Sequence, residues 1–188
     1  MTRSPETLLH DLCDRYERTE PLEFVFFWGH ESPPGTAPAE HCLSQWYPAA
    51  FTLEGTTYPT AEHYMMAAKA RLFSDGEALQ RILDAPDAGT ALAIGRLVHG
   101  YDQAVWERER FGIVVAGSVA KFSQNPALKA YLLSTDGKIL AQATPLERIW
   151  GIGLAPDHPD AANPTRWRGP NLLGFALMEA RTQLQSHV

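Results

Sequence analysis

The sequence predicts an α+β fold: a predominantly helical single domain around a small antiparallel sheet. Three observations carry that expectation. From Thr60 onward most segments repeat apolar residues at helical spacing and start on a capping residue. Strand-like segments are few and short, and the clearest of them precede Thr60. Strands then helices, in blocks, read as helices gathered around a small sheet.

The elements follow in order. Ser4-Pro5-Glu6 ahead of Leu8, Leu9 and Leu12 predicts a short peripheral helix, within an N-terminal extension over residues 1–21. A main domain over 22–188 opens on Leu22 to Trp28 (LEFVFFW), whose aromatic and branched residues predict a strand. GHESPPGTAPAEHC is a loop long enough to be functional or mobile. Ala50 to Tyr58 predicts a hairpin turning at Glu54-Gly55, stopped by Pro59. Helices are expected over Thr60–Phe73, Gly76–Leu83, Gly89–Val98, Asp102–Phe122 and Pro126–Leu133. A short strand at Ile139–Ala143 and a polar loop at Asp157–Arg168 come next. Gly169-Pro170-Asn171 introduces a last helix to Leu184, with proline near its first turn, where it is tolerated.

Composition bounds the function. The chain has 188 residues, enough for one domain that buries about 70 % of its unfolded surface. A net charge of −6 argues against bulk binding to long nucleic acid, though not against a local basic pocket for phosphate. Cys13 and Cys42 match no metal or redox spacing and suit a reducing compartment. The first twenty residues are too charged for a signal peptide, and no apolar run spans a bilayer. A soluble cytoplasmic protein is expected.

The stretch TYPTAEHYMMAAKA carries the most chemistry. At 100° per residue, Glu62, Met65, Met66, Lys69, Leu72 and Phe73 share one face, while Tyr64, Ala67 and Arg71 lie opposite. Glu62 and Lys69 thus fall in an apolar stripe, about 10 Å apart along the axis, with room for something between them. Each can find a structural partner elsewhere, or Lys69 can snorkel outward. Alternatively they form a cleft floor: a carboxylate for acid–base work and an amine with a depressed pKa. His63, one step off this face, is read as structural.

Further candidates are scattered. Gly95 interrupts an apolar helix, implying close packing or ligand approach, and Arg96 beside it is a phosphate fork. Tyr101 and Trp106 are flat stacking faces or core residues. Lys121 is read as a lysine snorkelling from a helix C-terminus. In Pro145–Gly153 the carboxylate Glu147, Trp150 and the glycines 151 and 153 lie together, which permits backbone approach to a ligand. Asn171 marks a helix N-terminus suited to an anion, or simply caps it. No metalloprotease, phosphate-loop or Ser-His-Asp pattern occurs. The histidines flanking the long loop match no common zinc spacing.

In this order the segments resemble the NADAR family, also called YbiA-like. The resemblance runs from Phe26-Phe27-Trp28 through LSQWYP (43–48), TYPTAEHYMMAAKA, Gly95-Arg96, Trp106, Lys121-Phe122, Trp150–Gly153 and Gly169–Gly174 to LMEAR (177–181). It departs in two places, with Gln45 where asparagine is expected and Glu147 where aspartate is common. The resemblance implies N-glycosidase chemistry on N-ribosyl or ADP-ribosyl substrates: ADP-ribosylated guanine, or the ribosylamino-pyrimidine phosphates of riboflavin biosynthesis. It implies Glu62, Lys69 and Glu147 as catalytic residues, and Trp28, Ser44, Arg96, Trp106, Trp150, Gly151 and Asn171 as substrate contacts. Glu62 would protonate the leaving group or activate water; Lys69 would capture an opened ribose as a Schiff base. No cofactor or metal is implied. The expected partner is a small nucleotide, an ADP-ribosylated base or a short nucleic-acid end, with no membrane and no obligate protein partner. The alternative function is a non-catalytic ADP-ribose or NAD reader.

Overall fold

The computed structural model describes residues 4–31 and 35–186. Residues 32–34 of the expected loop lie outside the described residues, as do the first three and last two positions of the chain. Helix α1 (Pro5–Glu17) leads to β1 (Phe24–Phe27), a 3₁₀ turn at Glu40–Leu43, and the strands β2 (Phe51–Leu53) and β3 (Thr56–Tyr58). Then come α2 (Ala61–Leu72), α3 (Gly76–Leu83), α4 (Ala88–Gly95), α5 (Gln103–Gln124) and α6 (Pro126–Ser134). Strand β4 (Ile139–Gln142), a 3₁₀ turn at Pro164–Arg166 and α7 (Leu172–Gln185) follow.

Local chemistry sets most of these starts. Thr60, Asp75, Asp87 and Asp102 each accept a hydrogen bond from the backbone N–H three residues on, at 3.3, 3.0, 2.7 and 2.9 Å. That satisfies one of the free donors every helix N-terminus leaves. The β2–β3 turn puts Glu54 and Gly55 at φ 51° and 77°, the left-handed pair that a two-residue hairpin of this twist requires.

The sheet departs from expectation. Hairpin β2–β3 is antiparallel, but β1 and β4 pair in parallel, Phe24 opposite Ile139 through Phe27 opposite Gln142. The intervening chain supplies the long crossover that parallel strands need. Ile139, Leu140 and Ala141 are all buried, as a covered parallel strand demands.

Helix α2 is the hub, packed by α3, α4 and α5. Its supposed outer face is covered as well. Ala67 is fully buried, and the Tyr64 ring meets Phe51 and Tyr58 of the hairpin with centroids 6.0 and 5.3 Å away. Two glycines permit this closeness: a Cβ on Gly95 would strike Met66, and one on Gly117 would strike the Tyr64 ring. Helix α1 forms as expected, and its Leu12 joins the main core. Pro170 sits just before the Asn171 cap rather than inside the first turn of α7.

Candidate active site

Helix α2 delivers Glu62 from its first turn into the protein. The residue is 3 % exposed, and its Oε1 has no hydrogen-bond partner among the described residues. Burial pushes the carboxyl up to about 7. The Trp46 side chain draws it down by hydrogen bonding, as does the charge of Arg96, while Glu147 pushes it further up. Indole carries a single polar hydrogen, so it is the Trp46 N–H that faces the carboxyl. Backbone reinforces the approach, since the Glu62 N–H donates to the Gln45 carbonyl at 3.0 Å.

Two turns on, half-buried Lys69 donates from Nζ to the Gly95 carbonyl at 2.8 Å. The amine lies 4.5 Å from the Tyr101 ring centroid and 5.6 Å from that of Trp106. Burial lowers its pKa, and the like charge of Arg96 lowers it further. The rings favour the ammonium. Arg96 caps the C-terminal end of α4, exposed, and acts electrostatically on both Glu62 and Lys69. Its backbone N–H donates to the Leu92 carbonyl at 3.0 Å, while its guanidinium makes no hydrogen bond or ion pair among the described residues. Its exposed fork can take a ligand that reaches these residues.

The structure thus brings together Glu62, Lys69, Arg96, Trp106 and Glu147. Glu147 has a second task. Its Oε1 accepts from the N–H groups of Ile149 and Trp150 at 2.8 and 3.0 Å, closing the turn ahead of the Trp-Gly-Ile-Gly segment. Trp150 is half-buried there. Trp28 stands at the end of β1, 60 % exposed. Ser44 is occupied within its own segment, its Oγ accepting from the Trp46 N–H at 3.2 Å.

Two expected contacts are spent on the fold. Asn171 is fully buried; its Oδ1 accepts from Gln142 N–H and its Nδ2 donates to the Leu140 carbonyl at 2.9 Å, so the side chain staples α7 to β4. Gly151 approaches backbone rather than ligand, because an added Cβ would lie 2.7 Å from the Gln142 carbonyl oxygen. The anion site expected at the α7 N-terminus is filled by protein. Carbonyls of Gly151, Ile149 and Trp150 accept from the N–H groups of Asn171, Leu172 and Leu173. Lys121 overturns its reading too: it does not snorkel but is 1 % exposed. His63 is structural, with Nε2 donating to the Ala85 carbonyl and Nδ1 accepting from the Thr60 hydroxyl.

Sequence reasoning passed over Trp46 as a site residue. The available signal was its place in LSQWYP, but only the fold sets that segment against Glu62. A cavity of about 450 Å³, lined by His30, Glu31, Tyr47 and Pro48, adjoins it; the His30 and Trp46 ring centroids are 5.6 Å apart. A second cavity of about 650 Å³, between α1, α5 and α7, is lined by none of the candidate residues.

Comparison with known proteins adds to this geometry. The NADAR domain model matches residues 26–185. The chain is 37 % identical over 169 residues to "N-glycosidase R617" of Acanthamoeba polyphaga mimivirus, covering 87 % of this chain and 97 % of that one. It is 31 % identical over 145 residues to "Riboflavin biosynthesis protein VVA0006" of Vibrio vulnificus, covering 77 % of this chain and 36 % of that longer protein. It is 31 % identical over 132 residues to "N-glycosidase YbiA" of Escherichia coli, covering 70 % and 74 %. The NMR structure of E. coli YbiA superposes with a TM-score of 0.70 at 26 % identity, over 88 % of this chain and 86 % of that one.

Proposed function

Because the chain belongs to the NADAR domain family, with relatives named as N-glycosidases, we propose that this hydrolase of N-glycosyl bonds cleaves an N-ribosyl or ADP-ribosyl substrate between Glu62 and Lys69. The observation that carries the reading is the buried Glu62 carboxyl, with one unpartnered oxygen and a pKa near neutrality. Cleaving a C1′–N bond requires a proton on the departing nitrogen and stabilisation of positive charge at C1′. A carboxyl that titrates near 7 supplies the first when protonated and the second when ionised. Arg96, whose guanidinium has no partner among the described residues, takes the phosphate of the substrate. Trp46, Tyr101 and Trp106 offer aromatic surface for a base or ribose.

Lys69 attacks C1′ only as the neutral amine and after leaving the Gly95 carbonyl. Burial and Arg96 favour that form, whereas the two rings favour the ammonium. Two routes follow from one site: water addition at C1′ assisted by Glu62, or Schiff-base capture by Lys69 and later hydrolysis. Glu147 contributes through its charge on Glu62 and by bracing its loop.

The family resemblance implies two substrate classes, ADP-ribosylated guanine and a riboflavin-pathway ribosylamino-pyrimidine phosphate, and the Vibrio vulnificus relative is named for riboflavin biosynthesis. Wild type and Glu62→Gln are incubated with each, and released ADP-ribose or ribose phosphate is read by mass spectrometry. Product with wild type and a loss of about 100-fold or more in the variant is expected. No product from either substrate would replace hydrolysis by a reader of ADP-ribose.

A further inference from the structure

Lys121 is a buried amine with no counterion among the described residues. It projects from α5, and among the described residues no carboxylate lies within ion-pair distance of it. Its Nζ donates to the carbonyls of Cys42 at 2.7 Å and Ser44 at 2.8 Å. The remaining side of the charge faces the rings of Phe122 and Tyr47, with centroids 5.2 and 5.6 Å away. Burying such a charge costs stability, and an apolar side chain of the same volume is often no worse for the fold. Stability is therefore a poor account of a lysine here.

What Lys121 holds is more telling. Cys42 and Ser44 lie just ahead of Gln45 and Trp46. Gln45 takes the Glu62 N–H through its carbonyl, and Trp46 faces the Glu62 carboxyl. Residues 42–46 are thus clamped between α5 on one side and the first turn of α2 on the other. No other side chain supplies an α5 donor to this segment among the described residues.

We propose that Lys121 is a positioning residue for the active site: by gripping the carbonyls of Cys42 and Ser44 it holds the Trp46 indole against Glu62. The inference rests on Glu62 being the working carboxyl, but its geometry holds whatever the substrate. The clamp does not need the charge, since a neutral amine still has two hydrogens for two carbonyls. Its effect on Glu62 passes through Trp46, one of two groups that draw this carboxyl's titration down. Arg96 and Glu147 are the other charges acting on it, and neither is gripped by Lys121.

The test needs no substrate, so it stands apart from the fate of the hydrolase reading. The Trp46 indole N–H resonance of ¹⁵N-labelled protein is followed through a pH titration, assigned by its loss in Trp46→Phe. In wild type it shifts near 7, where both Glu62 and Lys121 titrate, and Glu62→Gln removes the part that belongs to the carboxyl. In Lys121→Met the indole resonance moves, and the midpoint of Glu62, read from its ¹³C-labelled carboxyl, rises by about half a unit or more. Trp46→Phe raises it equally, and the double variant adds nothing further. A midpoint unchanged in Lys121→Met, or additive shifts in the double variant, would overturn the proposal. Lys121→Gln repeats the measurement if the methionine variant unfolds. Failure of both to fold would make Lys121 a stability element instead.

Discussion

At the scale of single residues, Glu62 is held where an ionised carboxylate is disfavoured. The unfolded side chain titrates at 4.5 and the folded one at about 7. Between those values the native state keeps a proton that the unfolded chain has released. Stability from this group is complete below pH 4.5 and is lost as pH rises to 7. Glu62→Gln should remove that loss, and urea unfolding should find the variant gaining on wild type by up to about 3 kcal/mol between pH 4.5 and 8. A residue kept at such expense is one the fold would shed if stability alone mattered. Lys69→Met is expected to leave the melting temperature within a few degrees, since the side chain is partly buried and its end lies near the rings of Tyr101 and Trp106, where a thioether also packs. Its kcat should fall by about 100-fold or more if the amine attacks C1′. Unchanged kcat would leave only the water route.

Elements show how far local sequence reaches. Thr60 and Asp102 are legible because an N-cap and its helix lie within four residues of each other, and Asp75 carries the same signal ahead of the expected Gly76 start. Asp87 was available too, and it starts α4 one residue before the expected glycine. Pairings made over long sequence separation were not legible. Nothing around Ile139 announces that it lies parallel to Phe24. Nothing around Asn171 announces that its amide is consumed by Leu140 and Gln142. Asn171 holds φ 55°, a left-handed conformation that asparagine tolerates, while Gly174 beside it leaves no room for a methyl group. Asn171→Ala should cost about 2–4 kcal/mol in chemical denaturation, from two lost hydrogen bonds and backbone strain. KM should stay within about twofold at a temperature where the variant is folded, because both ends of the amide are taken up by β4.

For the whole molecule, two buried groups of opposite kind titrate at one pH. Lys121 falls from 10.5 to about 7 through burial, against a weak upward pull from Cys42. From pH 7 to 10.5 the unfolded lysine binds a proton that the native one has lost, so stability from this group rises with pH. Glu62 makes stability fall up to pH 7 and Lys121 makes it rise beyond. Their joint contribution is least near neutrality, where most domains do best. Scanning calorimetry of wild type against the double variant Glu62→Gln/Lys121→Met should find this trough in the first and not in the second. The helical hub was readable from one helix, α2, whose polar pair stands beside the other candidate groups. The neighbours that tune the pair, Trp46, Arg96 and Glu147, come from three distant segments that only the packed fold assembles.

The parallel pairing of β1 with β4 also governs how the chain behaves while it is being made. Phe24–Phe27 leaves the ribosome long before its partner Ile139–Gln142 exists. Until then, Phe-Val-Phe-Phe is an uncharged, aromatic strand with a bare edge, the kind of segment that seeks strands from other molecules. A nascent chain stalled anywhere short of Ile139 is therefore expected to be sticky and chaperone-dependent, however well its helices have formed. Truncation at Lys138 should drive the product into the insoluble fraction, and replacing Val25 with lysine in that fragment should return it to solution.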